Sequence, residues 1–353
     1  MKLVSNKRLL CTDGKICVCY KRGSMYFEDQ NNIVFKTSIP QSGIKQHLSR
    51  LRLFERMMRL EPKVAILKDG VCYFSCHGAI YRCDWSRQIV EKEHSYRKSM
   101  NNPITLFMLD NVKGFENGII YGEYWGNVDK ERVLIYQQRN NKWEVKYSYP
   151  EGTITHIHGF VKDPQHDRVL ILTGDFDEGS GIWEAQEDFS IVRPLLVGKQ
   201  QFRCCVAFAC SQGILYATDT PLEDNAIYMY DEQKDVLNKI VDLPGPCIYG
   251  RDYIDQAGNR KFIFATSVEP DSRITGIRYL LSYKLGKGVK DRNTHIFVGD
   301  DKEGFQEITA LKKDFLPMGL FQFGNVMFPD SEEIVCVPQA VKKWDGKTLS
   351  VFD

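Results

Sequence analysis

Short runs rich in Val, Ile, Phe, Tyr and Cys recur along the whole chain, separated by breaks that carry Gly, Asp or Asn. LLCTDG, KICVCY, SMYFED and NIVFKTS follow one another before residue 40. Runs of this length, bounded by turn formers, read as β-strands. They group into modules at about 6–40, 63–95, 104–149, 153–197, 201–243, 247–312 and 317–353. Several modules share an order: an inner strand, a strand ending in a polar cluster, a strand such as RVLIYQQ, SGIWEAQ or NAIYMYD, and a last strand such as WEVKYSY, FSIVRPL or LNKIVDL. A twisted sheet of four strands cannot bury both faces alone, but stacking on its neighbours around an axis buries them. The expected fold is therefore an all-β propeller forming a single domain over 1–353. Seven blades are expected, or six if the first and last modules share one blade.

One stretch departs from this pattern. In SGIKQHLSRLRLFERMMRLEP, residues 42–62, Leu48, Leu51, Phe54 and Met58 recur at spacings of three and four, and Pro62 follows. That spacing predicts a helical insertion.

Charge and cysteine usage narrow the partners. The formal net charge is +1, so no bulk electrostatic attraction to nucleic acid or anionic membrane is expected. No uncharged apolar run reaches transmembrane length. The N-terminus MKLVSNKRLLCTDGK lacks the apolar core of a secretory signal, which points to a cytoplasmic location and leaves open export after removal of a leader. Eleven cysteines, an odd number without regular spacing, lie mostly inside apolar runs such as CVCY and RCCVAFAC. Buried free thiols fit that pattern better than a disulfide frame. Cys17 and Cys19 lack the second pair that a zinc site requires.

Inner strands of a propeller line its channel, so polar residues there carry information. The polar segments are YGEYWGN (121–127), THIHG (155–159), LTGDFD (172–177), QQFRC (200–204), ATDTPLEDN (217–225) and TSVEP (266–270). Alternation puts His156 and His158 on one strand face. Two imidazoles so placed can share a divalent metal or an anionic ligand, or simply line a wet channel. Gln201, Glu123 or Asp175 would supply further metal ligands. Asp175 and Asp177 form a candidate carboxylate pair, joined by Asp219, Glu223 and Glu269. Paired carboxylates do acid and base work on a glycosidic bond when their environments separate them. GDFDEGSG is equally a good Asp/Gly turn. Arg203 sits in an apolar strand and needs a partner, either a channel carboxylate or an anionic substrate group. Arg59 is a second candidate for that role. Tyr121, Tyr124, Trp125 and Tyr249 offer faces for sugar stacking or fill the core. No Walker loop, dinucleotide fingerprint, nucleophile elbow or HExxH helix occurs.

IYQQRNNKW, IWEAQEDFS and IFVGDDKEGFQEI each set a polar turn before an aromatic-containing fourth strand, as decayed Asp-box hairpins would. With YGEYWGN, HIHG, TGD, QQFRCCV, TDTP and TSVEP in this order, residues 55–270 resemble a family of bacterial sialidase-like, BNR/Asp-box β-propellers associated with polysaccharide biosynthesis loci. The resemblance implies a propeller and a glycan context. Sialidases themselves use an arginine triad and a nucleophilic tyrosine, neither of which can be placed here. The His-rich metal site of oligogalacturonate lyases is a second likeness, carried by His156, His158 and Gln201. Two functions follow as expectations. The first is a glycoside hydrolase or polysaccharide lyase acting on an acidic polysaccharide or oligosaccharide at the channel mouth. Asp175, Asp177, Glu123 and His158 would be catalytic. Arg203, Gln201, Tyr121, Trp125, Asp219, Glu269 and Arg59 would bind substrate, and His156 and His158 would hold any divalent metal. The second is a glycan- or protein-binding propeller without catalysis. Oligomeric state is not legible.

Overall fold

The computed structural model describes residues 1–353 apart from Asn31, Phe176, Asp177 and Asp353. Seven four-stranded antiparallel sheets form the blades of a propeller. Six are built from consecutive strands, with inner strands Arg8–Thr12, Val64–Lys68, Phe107–Leu109, His156–Asp163, Cys204–Cys210 and Cys247–Ile254 opening blades 1 to 6. Blade 7 is composite. Asn325–Met327, Val335–Gln339 and Thr348–Ser350 come from the end of the chain, and Lys2–Ser5 adds the outermost strand. The strand Lys2–Ser5 lies ahead of the first module, whose residues 8–38 form a full sheet of their own, so the first and last modules do not combine into one blade and the count is seven.

Burial follows strand position. Second strands such as Val71–Cys76, Arg168–Gly174 and Gly213–Thr218 are buried throughout, whereas outer strands such as Asn32–Ser38 and Val236–Leu243 are largely open to solvent. A sheet packed on both faces needs continuous apolar runs, and an edge strand facing water does not. Apolar clusters fill the spaces between adjacent blades. The closing seam, between blades 7 and 1, has the smallest buried set: Leu9, Cys19 and Val335. Polar bonds reinforce it. Thr348 Oγ1 accepts from Leu9 N at 2.9 Å and donates to Lys7 O at 2.7 Å.

The helix expected over 42–62 is two short helices, Gly43–Leu48 and Arg52–Met57, interrupted at 49–51. Helices this short are marginal alone and need tertiary anchors. Arg52 supplies one by pairing with Glu55, Glu61 and Asp345, and Arg56 supplies another by pairing with Asp314. All eleven cysteines are free and ten are buried, as their apolar surroundings led us to expect. No helix among the described residues is long and apolar enough to cross a membrane.

Candidate functional site

Four inner strands carry a β-bulge near their start. The extra residue is Leu10 in blade 1, His158 in blade 4, Cys205 in blade 5 and Ile248 in blade 6. A bulge re-aims the side chain of the residue it adds. Blades 1 and 6 place aliphatic groups there, while the adjacent blades 4 and 5 place an imidazole and a thiol. Two residues before each bulge stand His156 in blade 4 and Arg203 in blade 5. The residues across the pair also correspond: Gly174 in blade 4 holds the place of Asp219 in blade 5. Size explains the exchange. A Cβ on Gly174 would lie 2.3 Å from the His158 ring, whereas the smaller Cys205 leaves room for Asp219.

The two histidines meet head on. His156 Nδ1 donates to Trp125 O at 2.7 Å, and His158 Nδ1 donates to Cys204 O at 2.9 Å. Their Nε2 atoms then face each other at 3.0 Å, both buried. With each Nδ1 protonated, two neutral rings would oppose lone pairs, so the geometry calls for a shared proton or a cation between them. Asp175 Oδ1 completes a triangle, 3.5 Å from His156 Nε2 and 3.7 Å from His158 Nε2. A tetrahedral ion with bonds of about 2.0–2.1 Å sets its donors about 3.3 Å apart, so the three edges fit one face of such an ion.

Arg203 secures this triangle. Its Nη2 lies 2.7 Å from Asp175 Oδ1 and 3.4 Å from Asp219 Oδ2, and its Nη1 donates to Asp175 O at 3.3 Å. Gln200 donates its amide to the same carbonyl at 2.9 Å. Burial works against ionisation of Asp175, but the Arg203 charge and the histidines outweigh it and hold the carboxyl well below its usual range. Asp175 remains the open member of the group, with 37% of its side chain exposed. Glu269 behaves in the opposite way. Burial and the charge of Asp219 push its pKa up to about 8, against a hydrogen bond from Ser267 Oγ at 2.6 Å. The ring of Tyr124 packs edge-on against His156, with centroids 4.5 Å apart. Beside the cluster, Cys205 also lines a central cavity of about 770 Å³ to which all seven blades contribute.

The other expected site residues lie elsewhere. Glu123 is held by Arg97 in a two-pronged pair and by Leu134 N, so it is no partner of the histidines. Tyr121 is buried among aromatic rings and bonds His94 rather than presenting a face to the channel. Trp125 is core and gives the site only its carbonyl. Gln201 accepts from the Tyr216 hydroxyl through its backbone, while Gln200 reaches the cluster. Arg59 bonds Gly319 O within the short helix Met318–Phe321. Glu223 is exposed. Asp177 lies outside the described residues. Cys205 and Gly174 were not singled out from the sequence, although RCC repeats the place of HIH within its module.

No family model matches the chain, and no curated protein matches it. Among solved structures, a chain of the mitotic checkpoint complex aligns at TM-score 0.57 and 9% identity, covering 98% of this chain and 89% of that one. An oligogalacturonate lyase from Vibrio parahaemolyticus aligns at TM-score 0.52 and 11% identity over 96% and 90%. The extracellular domain of a proposed one component system from B. thetaiotaomicron aligns at 0.54 and 9% over the whole of this chain, which spans 39% of that protein. Likeness at such identities shows a shared propeller fold.

Proposed function

We propose that the protein is a carbohydrate-active propeller that binds an acidic oligosaccharide at the His156–His158–Asp175 cluster with the help of a divalent cation, and that it acts as a polysaccharide lyase. The observation that carries this reading is the convergence of two buried imidazoles, each locked by a carbonyl on its far nitrogen, on a carboxylate backed by Arg203. Outer-shell partners of this kind orient metal-ligating histidines. A bound cation would neutralise a uronate carboxylate and so acidify the adjacent carbon. Arg203 stands ready to share that task, and its Nε has no partner among the described residues. In a β-elimination a base takes the carbon-bound proton, the new double bond forms, and the glycosidic C–O bond breaks with its electron pair going to oxygen. Asp219, not needed by the cation, is the carboxylate placed to accept the proton. Glu269, protonated near neutral pH, is the group fitted to return one to the leaving oxygen. The oligogalacturonate lyase among the fold neighbours and the residue-level resemblance to glycan-associated propellers support the substrate class.

A second reading rests on the same contact. One proton shared by the facing imidazoles, with Asp175 as counter-ion, also satisfies the geometry and leaves a glycan-binding propeller without catalysis. The test is incubation with oligogalacturonate and other uronate-containing oligosaccharides, following the ultraviolet absorbance of the unsaturated product. The proposal expects turnover that chelation removes and that His158→Ala and Arg203→Ala abolish. Binding without turnover selects the second reading, and turnover indifferent to chelator and to His158→Ala overturns the site assignment.

A further inference from the structure

We infer that Cys205 is a ligand of the cation, making the donor set two imidazoles, a carboxylate and a thiolate, and that the resident metal is therefore zinc. This deepens the metal reading above and rests on it. The blade 5 bulge turns the thiol to Asp219 and the His158 side of the cluster, as the matching bulge of blade 4 turns His158. A ring nitrogen of His158, Cys205 Sγ and an Asp219 oxygen all lie within 4.8 Å of one another. His156, His158 and Asp175 meet the same limit, so His158 belongs to both groups. Sγ donates to Asp219 Oδ2 at 3.1 Å, and Arg203 ties Asp219 to Asp175. The two groups meet at His158, and a cation seated there draws the sulfur from the second group in to join the donors of the first. On binding, the metal–sulfur bond forms as the S–H bond breaks, and the proton leaves through Asp219 to solvent.

The donor chemistry decides the metal. Carboxylate and carbonyl sets suit magnesium, calcium and manganese, whereas thiolate with imidazole suits zinc. Zinc takes four ligands in a tetrahedron and can expand to five-coordination in a transition state, which would admit a substrate oxygen. The other ten cysteines are no substitute in this role: Cys204, the nearest in sequence, turns into the apolar packing between blades 4 and 5.

Cobalt(II) titration of the metal-free full-length protein tests this without any substrate. The expected result is one cobalt per chain with a near-ultraviolet sulfur-to-metal charge-transfer band, displaced by zinc. Cys205→Ser should still bind cobalt through His156, His158 and Asp175 but lose the band, and its zinc affinity should fall more than about tenfold while manganese affinity changes little. Asp219→Asn, which leaves the sulfur in place, should keep the band. Cobalt bound without the band, or a band that survives Cys205→Ser, overturns the thiolate and leaves the histidine site standing. Absence of stoichiometric cobalt in the folded wild type overturns both, and circular dichroism of each variant establishes that it is folded.

Discussion

Gly174→Ala probes the geometry of the site without replacing a proposed ligand. The added methyl would sit 2.3 Å from His158 Cε1 and 2.4 Å from Nε2. Ordinary contact begins at 3.4 Å, so the ring must retreat by about 1.1 Å. That movement stretches the 2.9 Å bond to Cys204 O and separates Nε2 from His156. Overpacking of this kind costs about 1–3 kcal/mol, and the weakened hydrogen bond adds about 1 kcal/mol. Metal affinity should fall about 10–100-fold, the range associated with displacing a ligand's outer-shell support. Urea unfolding of the metal-free protein reads the first effect, and competitive chelator titration reads the second. A variant that loses stability but binds metal as tightly as wild type would refute the placement of His158 Nε2 at the cation.

Three further outcomes follow from other parts of the structure. Glu269 binds its proton more tightly when folded, so its contribution to stability is complete below its ordinary value of 4.5 and is lost as pH rises to about 8. The stability difference between wild type and Glu269→Gln should therefore change across that window and level off on either side, as denaturation at a series of pH values will show. Arg168 is buried between Asp163, Glu184 and Glu232, so Arg168→Met should cost about 3–5 kcal/mol in urea unfolding while metal affinity stays at the wild-type level. Thr348→Val strands Leu9 N and Lys7 O at the seam with the smallest apolar set, and should cost about 1–3 kcal/mol by the same assay.

The ring was legible because each blade repeats one rhythm of strands and turns, and the module boundaries at 104–149 and 201–243 enclose blades 3 and 5. Two features escaped because they depend on distant residues. The strand that completes blade 7 comes from Lys2–Ser5, a pairing across nearly the whole chain that no local pattern announces. The second half of the 42–62 helix is held by anchors far along the sequence, Asp345 and Asp314, through Arg52 and Arg56. At the site, HIH and TGD gave the histidines and Asp175 through alternation and turn chemistry. Glu123 and Trp125 looked equivalent in sequence, yet Arg97 claims the first and the core claims the second. Cys205 was hidden by its apolar neighbours, since a bulge that turns one residue out of register leaves no mark in composition.

The central claim is that His156 and His158 face a metal ion and not a shared proton. Total metal analysis by mass spectrometry on untagged protein, beside the His156→Ala/His158→Ala double variant, tests it most directly. The account predicts close to one equivalent of a divalent transition metal in the wild type and its loss in the folded double variant. Metal-free wild type that cannot be loaded with zinc or manganese, or equal metal in both proteins, would contradict it.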